Sequence, residues 1–354
     1  MQALVLRPGE AGTTTVAEMP APEPGPGQVL VRPVEVGVCG TDREISEGLF
    51  GVAPDGEDQL VLGHELLAVV ERDAHGFARG DLVAATVRRS CGHCAACAEG
   101  APDACDTGDY RERGIMRLHG YASELVAEAP EHLVAVPRSL GRLGVLAEPA
   151  SVCERGLRHV RAVGARQPWR PGRALVLGTG AIGMLATYLL RMDGLEVWTA
   201  SRSAGGEKAR LVEACGARHV ATSETPPAAL AEAVGGFDVV VEAAGDAQLM
   251  LDTLGLLRRN GVACLLGIDG RPREVSIDGR VLAVDAILQN RAIFGSVNAN
   301  RVDWSAAVEH LDAARARWPE ALEAFVGLRV PLDAFADAFD YHGVKATLEL
   351  EERP

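Results

Sequence analysis

The segment Gly178-Thr-Gly-Ala-Ile-Gly183 constrains the fold of this chain more than any other stretch of its sequence. The apolar run Ala174-Leu-Val-Leu177 precedes this segment, and a second apolar run follows it as far as Leu190. A buried strand that turns into a helix through a G-x-G-x-x-G pattern is typical of the first unit of a dinucleotide-binding sheet. The alternative is a glycine-rich turn without a ligand, which the flanking strand and helix patterns disfavour.

Strand and helix patterns alternate along the segment from 151 to 296. Continuous apolar strands separated by helices indicate a parallel sheet with both faces covered. We therefore predict an α/β fold in which residues 151–296 form a doubly wound, Rossmann-type dinucleotide domain. The further predicted elements are a helix over 151–163, strands beginning at Leu195, His219, Phe237 and Gly261, and helices over 207–215 and 247–257.

The residues on either side of this domain follow other patterns. Residues 1–150 contain short strand patterns, such as the one that begins at Gln28, separated by turns rich in proline and glycine. Residues 297–354 return to long helical patterns and end in a strand pattern that begins at Ala346. The sequence thus predicts a β-rich domain, an inserted dinucleotide domain and a return to the first domain.

The charge of the chain argues against two classes of partner. Its 354 residues carry a formal net charge of −14 at pH 7, whereas nucleic acid and anionic membranes attract concentrated positive charge. The longest uncharged stretch, Ala174–Leu190, is shorter than the ~20 apolar residues that cross a bilayer. The N-terminal apolar run soon meets Arg7 and Glu10, unlike a signal peptide. We therefore expect a cytoplasmic protein that binds neither nucleic acid nor membrane.

Four of the eight cysteines lie close together, as Cys91, Cys94, Cys97 and Cys105. Their pattern, C-x2-C-x2-C-x7-C, could surround one ion with a tetrahedron of thiolates. Because four protein ligands leave no open coordination position, the pattern predicts a structural zinc ion in a lobe over about 88–110. An iron–sulfur cluster is the alternative, but its usual run has a last gap of three residues followed by proline, where this chain has seven residues and Asp106.

The end of the second predicted strand of the dinucleotide domain bears on the choice of cofactor. An NAD-binding domain usually has an acidic residue there, which binds the ribose 2′-hydroxyl. This chain has Ser201, Arg202 and Ser203 instead, and arginine can bind a 2′-phosphate through paired hydrogen bonds. The segment predicts a preference for NADP. If Arg202 is only a solvated loop residue, either cofactor could bind.

Further metal-binding side chains lie far apart in the sequence. Cys39 begins the segment Cys-Gly-Thr-Asp, His64 and Glu65 follow an apolar run, and Glu148 stands at the predicted domain transition. A catalytic zinc needs about three protein ligands and one open position. Each of these residues could equally be a buried thiol, a hydrogen-bonding histidine or a charge at a helix N-terminus. No local spacing joins them into one site.

Eight short segments spread over the chain carry a family resemblance. They are Val38–Ile45, Leu60–Glu65, Arg88–Cys97, Gly114-Ile115, Gly120-Tyr121, Leu146–Pro149, Val176–Gly183 and Gly295–Asn298. Through them the chain resembles the zinc-dependent medium-chain alcohol and polyol dehydrogenases, and within these the archaeal-type glucose dehydrogenases. This resemblance implies a GroES-like catalytic domain formed by 1–150 and 297–354, beside the Rossmann domain.

The resemblance implies a role for each of the scattered residues. Cys39 and His64 correspond to ligands of a catalytic zinc, and Glu65 lies beside the metal, as a ligand or through a water molecule. Glu148 occupies the position of a zinc carboxylate or of a polar residue that contacts substrate. Thr41 occupies the position of the hydroxyl that relays the substrate proton.

The resemblance also implies contacts to substrate and cofactor. Glu112 and Asn298 fall where sugar-binding members contact substrate hydroxyls. Ser201–Ser203 match the segment that binds the 2′-phosphate, where many members have two adjacent arginines, so NAD use stays open for this chain. The residues expected to contact the cofactor are Gly178, Thr179, Gly180, Ala181, Ile182, Gly183, Ser201, Arg202, Ser203 and Asn298.

The activity implied is zinc-dependent oxidation of a sugar or polyol hydroxyl, foremost glucose to gluconolactone, with hydride transfer to NADP or NAD and two zinc ions per chain. A polyol or an amino-cyclitol is the alternative substrate. A zinc-free quinone reductase would lack the Cys39–His64 pair and the cysteine lobe, and a non-catalytic NADP-binding protein need not keep an open metal site. By resemblance, we expect a homodimer or homotetramer.

Overall fold

The computed structural model describes residues 1–268 and 274–350. Residues 269–273 of the predicted dinucleotide domain and 351–354 of the predicted return segment lie outside the described residues. The chain forms two compact units. The first consists of Met1–Ser151, Asn298–Arg315 and the chain from Val326 onward, and the second of Val152–Val297 and Ala316–Phe325.

Strands predominate in the first unit and alternate with helices in the second. The described residues contain nineteen strands: β1 (Gln2–Leu6), β2 (Thr15–Glu18), β3 (Val29–Val38), β4 (Leu60–Val61), β5 (Glu65–Val70), β6 (Leu82–Ala85), β7 (Arg88–Arg89), β8 (Arg111–Arg113), β9 (Arg117–Leu118), β10 (Val126–Glu128), β11 (Leu133–Val136), β12 (Arg173–Leu177), β13 (Glu196–Ser201), β14 (Arg218–Ala221), β15 (Phe237–Glu242), β16 (Leu257–Leu265), β17 (Ala292–Gly295), β18 (Val326–Pro331) and β19 (Lys345–Glu349).

Eleven α-helices lie within the described residues, most of them in the second unit or at its ends. They are α1 (Gly40–Ser46), α2 (Ala95–Ala98), α3 (Ala147–Gly164), α4 (Ala181–Met192), α5 (Glu207–Ala214), α6 (Pro227–Val234), α7 (Ala247–Leu256), α8 (Ala286–Leu288), α9 (Arg301–Arg317), α10 (Pro319–Glu323) and α11 (Phe335–Phe339). Short 3-10 helices span Pro102–Ala104, Pro130–His132, Gly141–Leu146 and Leu332–Ala334, and a π-helical turn spans Val281–Asp285.

The first unit is built on a seven-stranded sheet in which strands from both ends of the chain pair directly. Its order is β11-β6-β5-β3-β19-β18, with β10 also paired to β3. Strand β19 runs antiparallel to β3 with Ala346 opposite Val38, and β5 places Glu65 opposite Gly37 of β3. The unit also contains two three-stranded sheets, β2-β1-β4 and β7-β8-β9. The C-terminal strand therefore lies beside the residues that precede Cys39.

Strands β3 and β5 contribute buried side chains to the core of the first unit. Val29, Val31 and Val36 are fully buried, as is Leu67 on β5, and β-branched side chains suit the pleated surface of a sheet. Most residues of β3 and β5 are buried whichever way their side chains point, and the pairing shifts register between Pro33 and Glu35 of β3. In this pairing Glu65, the first residue of β5, lies opposite Gly37.

The second unit contains the parallel sheet predicted from the strand–helix alternation. Its order is β14-β13-β12-β15-β16-β17, and each neighbouring pair is parallel. Strand β15 is buried along its whole length, and Trp198 of β13 packs edge-on against Phe237 with ring centroids 5.5 Å apart. Strands β13 and β15 flank β12 on opposite sides, so the direction of winding reverses at β12. Doubly wound sheets bind ligands at such a switch point. Among the described residues, no helix combines the length and apolar character needed to span a membrane.

Candidate active site and cofactor loop

Helix α1 begins directly after strand β3 and presents a thiol at its first turn. Cys39 is the N-cap residue, and its Sγ accepts a hydrogen bond from the backbone N–H of Thr41 at 3.3 Å. Asp42 Oδ2 accepts a hydrogen bond from the backbone N–H of Cys39 at 2.9 Å. This is a capping box with cysteine in the place of serine or threonine. It satisfies donors at the helix start and fixes the direction of the thiol.

His64 follows strand β4 and lies against this thiol. Its Nε2 is 3.0 Å from Cys39 Sγ, and its Nδ1 is 3.4 Å from Asp42 Oδ1. Burial alone would raise the pKa of Asp42, but the neighbouring His64 ring and the backbone N–H of Cys39 hold it below its ordinary value. A carboxylate behind a histidine orients the ring and strengthens it as a metal ligand. Asp42 is placed for that role.

Glu65 is buried and paired with a lysine from the other end of the chain. Lys345 Nζ lies 2.6 Å from both Glu65 oxygens and donates to the carbonyl oxygen of Val38 at 3.2 Å. Both side chains of the pair are about 2% exposed. A Cβ at Gly37 would come within 1.9 Å of Glu65 Oε2, so glycine at this position leaves the space that the carboxylate fills.

Three of the scattered residues bring their donor atoms together. Those of Cys39, His64 and Glu65 lie within 4.8 Å of one another, and sulfur, nitrogen and carboxylate oxygen are donors that suit zinc. The thiol and imidazole are free to bind a metal, whereas both Glu65 oxygens already contact Lys345. Glu148, in the first turn of α3, is outside this group of three. Burial and the negative charge of Glu65 raise the pKa of Glu148 to about 7.

The four cysteines of the predicted lobe converge within the first unit. Cys91 Sγ is 3.9 Å from Cys97 Sγ, and Cys94 Sγ is 4.0 Å from Cys105 Sγ. Four sulfurs arranged tetrahedrally around zinc at ~2.3 Å would be about 3.8 Å apart. All four cysteines are free rather than disulfide-bonded. Their spacing therefore fits one enclosed ion with no open position.

Two of the residues expected to contact substrate, Glu112 and Asn298, lie side by side. Asn298 Nδ2 donates to Glu112 Oε1 at 3.2 Å, and Arg88 Nε donates to the same oxygen at 3.0 Å. Asn298 has a φ of 65°, in the left-handed region that asparagine tolerates better than most residues. The tertiary structure thus joins a carboxylate and an amide that are 186 positions apart in sequence.

The glycine segment forms the turn between β12 and α4. Gly178 has a φ of 113°, and a Cβ there would come within 2.9 Å of the Ala243 backbone. A Cβ on Gly183 would lie 2.2 Å from the carbonyl oxygen of Gly178, whereas a Cβ on Gly180 would meet, within 4 Å, no described residue beyond its own chain neighbours. That open space adjoins the N-terminus of a twelve-residue helix, where a phosphate binds favourably. The turn and the first helical residues also include Thr179, Ala181 and Ile182.

Strand β13 ends at Ser201 without an acidic residue. Ser201 Oγ is 2.9 Å from Nε2 of His219 on the neighbouring strand β14. Arg202 and Ser203 follow as exposed residues, and the Arg202 carbonyl oxygen accepts a hydrogen bond from Ser223 at 3.1 Å. An exposed guanidinium flanked by hydroxyls offers donors that suit a phosphate group.

Comparison with known families covers both units. Residues 25–138 match the alcohol dehydrogenase GroES-like domain, and residues 141–350 match the family described as the glucose dehydrogenase C-terminus. The second match alone extends over more than half of the chain. The chain belongs to the glucose dehydrogenase family. The resemblance to zinc-dependent medium-chain dehydrogenases is thereby confirmed, and the chain is an oxidoreductase of that class.

Relatives from this family match along the whole chain. The glucose 1-dehydrogenase of Methanocella arvoryzae is 43% identical, and the match covers 99% of each chain. That of Thermoproteus tenax is 38% identical over 99% of this chain and 100% of its own length. The structure of Haloferax mediterranei glucose dehydrogenase in complex with NADP, zinc and gluconolactone is 33% identical, with a TM-score of 0.91 and 100% coverage of both chains. These matches confirm the predicted pairing of a GroES-like domain with a Rossmann domain.

Three residues of these sites were not identified from the sequence. Asp42 stands three residues after Cys39, which is the spacing of a capping box and could have indicated its role. Lys345 is one of only two lysines in the chain and begins an apolar strand, which is a signal for a buried, paired ammonium group. His219 left no local signal, because it meets Ser201 only through the pairing of β13 with β14.

Proposed function

We propose that this chain oxidises glucose, or an aldose close to it, at the anomeric hydroxyl to the lactone and transfers the hydride to NADP. The observation that carries the proposal is the group of donor atoms at Cys39, His64 and Glu65, in the same unit as the paired Glu112 and Asn298. The relatives named above are glucose 1-dehydrogenases, and the Haloferax enzyme was solved with NADP, zinc and gluconolactone.

The proposal includes two zinc ions in each chain. Cys39 and His64 are ligands of the first ion, with Asp42 orienting the imidazole. Zinc bound there would supply a Lewis acid that lowers the pKa of the substrate hydroxyl. The second ion is enclosed by the four cysteines of the lobe and has a structural role.

The third ligand of the first zinc is a carboxylate, either Glu65 or Glu148. The contacts of Lys345 help to decide between them. Because Lys345 contacts both oxygens of Glu65, we propose that Glu65 stays beside the metal, with Glu148 as the carboxylate that closes the site or contacts substrate. Zinc content of Glu65→Gln and Glu148→Gln variants tests this assignment. Loss of one zinc ion from Glu65→Gln, with both retained in Glu148→Gln, would assign the ligand to Glu65 instead.

We propose that the Thr41 hydroxyl relays the proton that leaves the substrate hydroxyl, accepting it as its own proton passes on to the cofactor ribose or to solvent. Thr41 is half-buried and its backbone N–H already contacts Cys39 Sγ, so its side chain belongs to the same helical turn as the metal ligand. Glu112 and Asn298 bind other sugar hydroxyls, the first as an acceptor and the second as both donor and acceptor.

The cofactor site of the proposal is the turn at Gly178–Gly183 together with Ser201–Ser203. The pyrophosphate meets the N-terminus of α4, and the 2′-phosphate of NADP meets Arg202 and the two serine hydroxyls. Asn298 contacts the cofactor as well as the sugar. Since one arginine supplies the only cationic side chain of this three-residue segment, we expect NADP to be preferred and NAD to be accepted.

Two other functions predict different behaviour. A carboxylate beside an amide could also bind a polyol or an amino-cyclitol, which carry similar vicinal hydroxyls. A non-catalytic NADP-binding protein would explain the turn at Gly178–Gly183 but would make no use of the Cys39–His64 pair.

A panel of aldoses, polyols and amino-cyclitols, each assayed with NADP and with NAD, tests the proposed activity. We expect glucose to be among the best substrates and the purified chain to contain two zinc ions. A polyol or amino-cyclitol oxidised faster than every aldose would favour the alternative substrate. One zinc ion per chain and no turnover would favour a binding protein.

We also propose that the chain forms a homodimer or homotetramer in the cytoplasm. Strand β17 is the edge of the six-stranded sheet. Ile293 in β17 is exposed, and so are Ile287 and Leu288 in the preceding helix α8. An unpaired edge strand beside apolar side chains is a common contact surface. Four cysteines kept as thiolate ligands suit a reducing compartment. Light scattering after size-exclusion chromatography measures the assembly, and a monomer at micromolar concentration would contradict it.

A further inference from the structure

The four-cysteine lobe is a loop whose base is closed by two short strands. Strand β7 leads into the lobe and β8 leads out of it, and the two pair antiparallel with Arg88 opposite Glu112 and Arg89 opposite Arg111. All four cysteines lie between these strands. The lobe and the carboxylate proposed to bind the sugar therefore share one pair of strands.

The Arg88 side chain connects the interior of the lobe to this carboxylate. Its Nε donates to Glu112 Oε1 at 3.0 Å, and its Nη1 donates to the carbonyl oxygen of Asp103 at 3.0 Å. Its guanidinium carbon lies 4.0 Å from the centre of the Tyr110 ring, a cation–π contact. The side chains of Arg88 and Glu112 are 10% and 13% exposed, so water screens their charged hydrogen bond only weakly.

The two oxygens of Glu112 have different surroundings. Oε1 accepts hydrogen bonds from Arg88 and Asn298, whereas no hydrogen bond from the described part of the chain reaches Oε2. A carboxylate held at one oxygen presents the other in a defined direction, where it can accept a hydrogen bond from a hydroxyl group. The orientation of Oε2 therefore depends on the contacts that Arg88 and Asn298 make with Oε1.

We infer that Arg88 is a positioning residue for substrate, which transmits the order of the four-cysteine lobe to Glu112. The inference rests on the proposed function, because it takes Glu112 as a contact of the sugar. Arginine suits the position because its planar fork binds a carboxylate and a carbonyl oxygen together while its face covers an aromatic ring. A lysine offers a single point charge and cannot make all three contacts.

The test compares Arg88→Gln and Arg88→Lys with Arg111→Gln, which changes an exposed arginine of the same strand pair. We expect Arg88→Gln to raise KM for glucose about ten-fold, as for loss of one charged hydrogen bond. Its kcat and its KM for NADP should stay near the wild-type values. Arg88→Lys should recover part of the loss, and Arg111→Gln should match the wild type.

Hydrogen–deuterium exchange over residues 107–118 gives a second readout that does not depend on activity. We expect faster exchange there in Arg88→Gln than in Arg111→Gln, with both zinc ions retained. Unchanged exchange in Arg88→Gln overturns the positioning role, and so does a loss of kcat with an unchanged KM for glucose. If Arg88→Gln does not fold, both KM for glucose and exchange are measured on Arg88→Lys, for which we expect a smaller change in each.

The same experiment separates this inference from the proposed function. A wild-type chain that oxidises no sugar contradicts the proposed function, and the substrate part of the inference fails with it. Faster exchange in the Arg88 variants would still establish that Arg88 orders the segment that carries Glu112. Full sugar oxidation by the wild type with no change in either readout would overturn the inference alone.

Discussion

The four-cysteine lobe and the site at Cys39, His64 and Glu65 both gather metal-binding side chains, but over very different lengths of chain. The lobe takes all its ligands from the segment between Cys91 and Cys105, whereas the other site depends on a strand near the C-terminus that carries Lys345. The lobe ligands lie close together in sequence, and the pairing of β7 with β8 closes the base of their loop. The second site exists only once the seven-stranded sheet has formed. We therefore expect the lobe to contribute mainly to the stability of the fold. We expect the site at Cys39, His64 and Glu65 to contribute mainly to catalysis, through a metal with an open coordination position.

The largest expected effect is on the chemistry of the assembled site. Cys39→Ser should lower kcat/KM for glucose by about 10³-fold or more, because the metal loses its thiolate and its Lewis acidity is worth several kcal/mol. The unfolding free energy should change little. Steady-state assays, zinc analysis and thermal unfolding measure these quantities. Cys215→Ser, which changes a buried cysteine outside the metal-binding groups, is the control, and equal activity of the two variants would contradict the prediction.

The next effect tests the buried pair that joins the two ends of the chain. Lys345→Met should lower the unfolding free energy of the metal-free protein by about 3 to 5 kcal/mol, because Glu65 becomes an unpaired buried charge. Adding Glu65→Gln to Lys345→Met should recover part of this loss. Urea unfolding of the wild type, both single variants and the double variant measures the coupling. Strictly additive effects would show that the pair contributes no interaction of its own.

The lobe should behave in the opposite way to the assembled site. Cys94→Ser should remove one zinc ion and lower the unfolding free energy by about 3 kcal/mol, since a structural zinc contributes directly to folding. Its kcat should fall far less than that of Cys39→Ser. Comparing zinc content, kcat and denaturant unfolding for the two variants checks this contrast. If Cys94→Ser loses as much kcat as Cys39→Ser, the division into structural and catalytic sites is wrong.

A smaller effect is expected on how the unfolding free energy depends on pH, through a histidine whose neighbours are distant in sequence. His132 Nδ1 lies 3.1 Å from Thr86 Oγ1, and burial, followed by the positive charge of Arg89, lowers the pKa of His132 to about 4. Between pH 6.5 and 4 the unfolded chain binds a proton at His132 that the folded chain does not, so stability is lost as pH falls. At pH 5 the loss should be about 1 to 2 kcal/mol.

His132→Gln removes this titration while keeping a side chain that can hydrogen-bond to Thr86. Urea unfolding at pH 7 and pH 5 should therefore show a smaller loss of stability for the variant than for the wild type. Equal losses in both proteins would show that His132 has an ordinary pKa in the folded state.

The smallest expected effect lies in the cofactor segment, which like the lobe is contiguous in sequence. Arg202→Ala should raise KM for NADP about ten-fold, roughly 1.4 kcal/mol, through loss of hydrogen bonds to the 2′-phosphate. KM for NAD should stay unchanged, because NAD has no phosphate at that position. Arg218→Ala, at the start of the neighbouring strand β14, is a matched control. An equal rise in KM for both cofactors would show that Arg202 contacts a part of the dinucleotide other than the 2′-phosphate.

The sequence predicts structure best where the geometry is decided within a few residues. The turn at Gly178–Gly183 is bounded by its own strand and helix, and the C-x2-C spacing limits where the sulfurs can lie. Both can be predicted from local pattern alone. The parallel sheet can also be predicted, because continuous apolar strands indicate that both faces of the sheet are covered. The roles of Glu112 and Asn298 came only from family resemblance, since nothing in their local sequence distinguishes them from other polar surface residues.

The sequence by itself determined the α/β architecture, the dinucleotide turn and the enclosed cysteine lobe, because covalent connection and burial preferences act over short distances. Only the tertiary structure decided that Asp42 lies behind His64, that Lys345 neutralises Glu65 and that Arg88 holds Glu112. These contacts depend on the register of β3 with β5 and β19, and of β7 with β8. Register is set by the packing of whole strands against a common core, and no short segment contains that information.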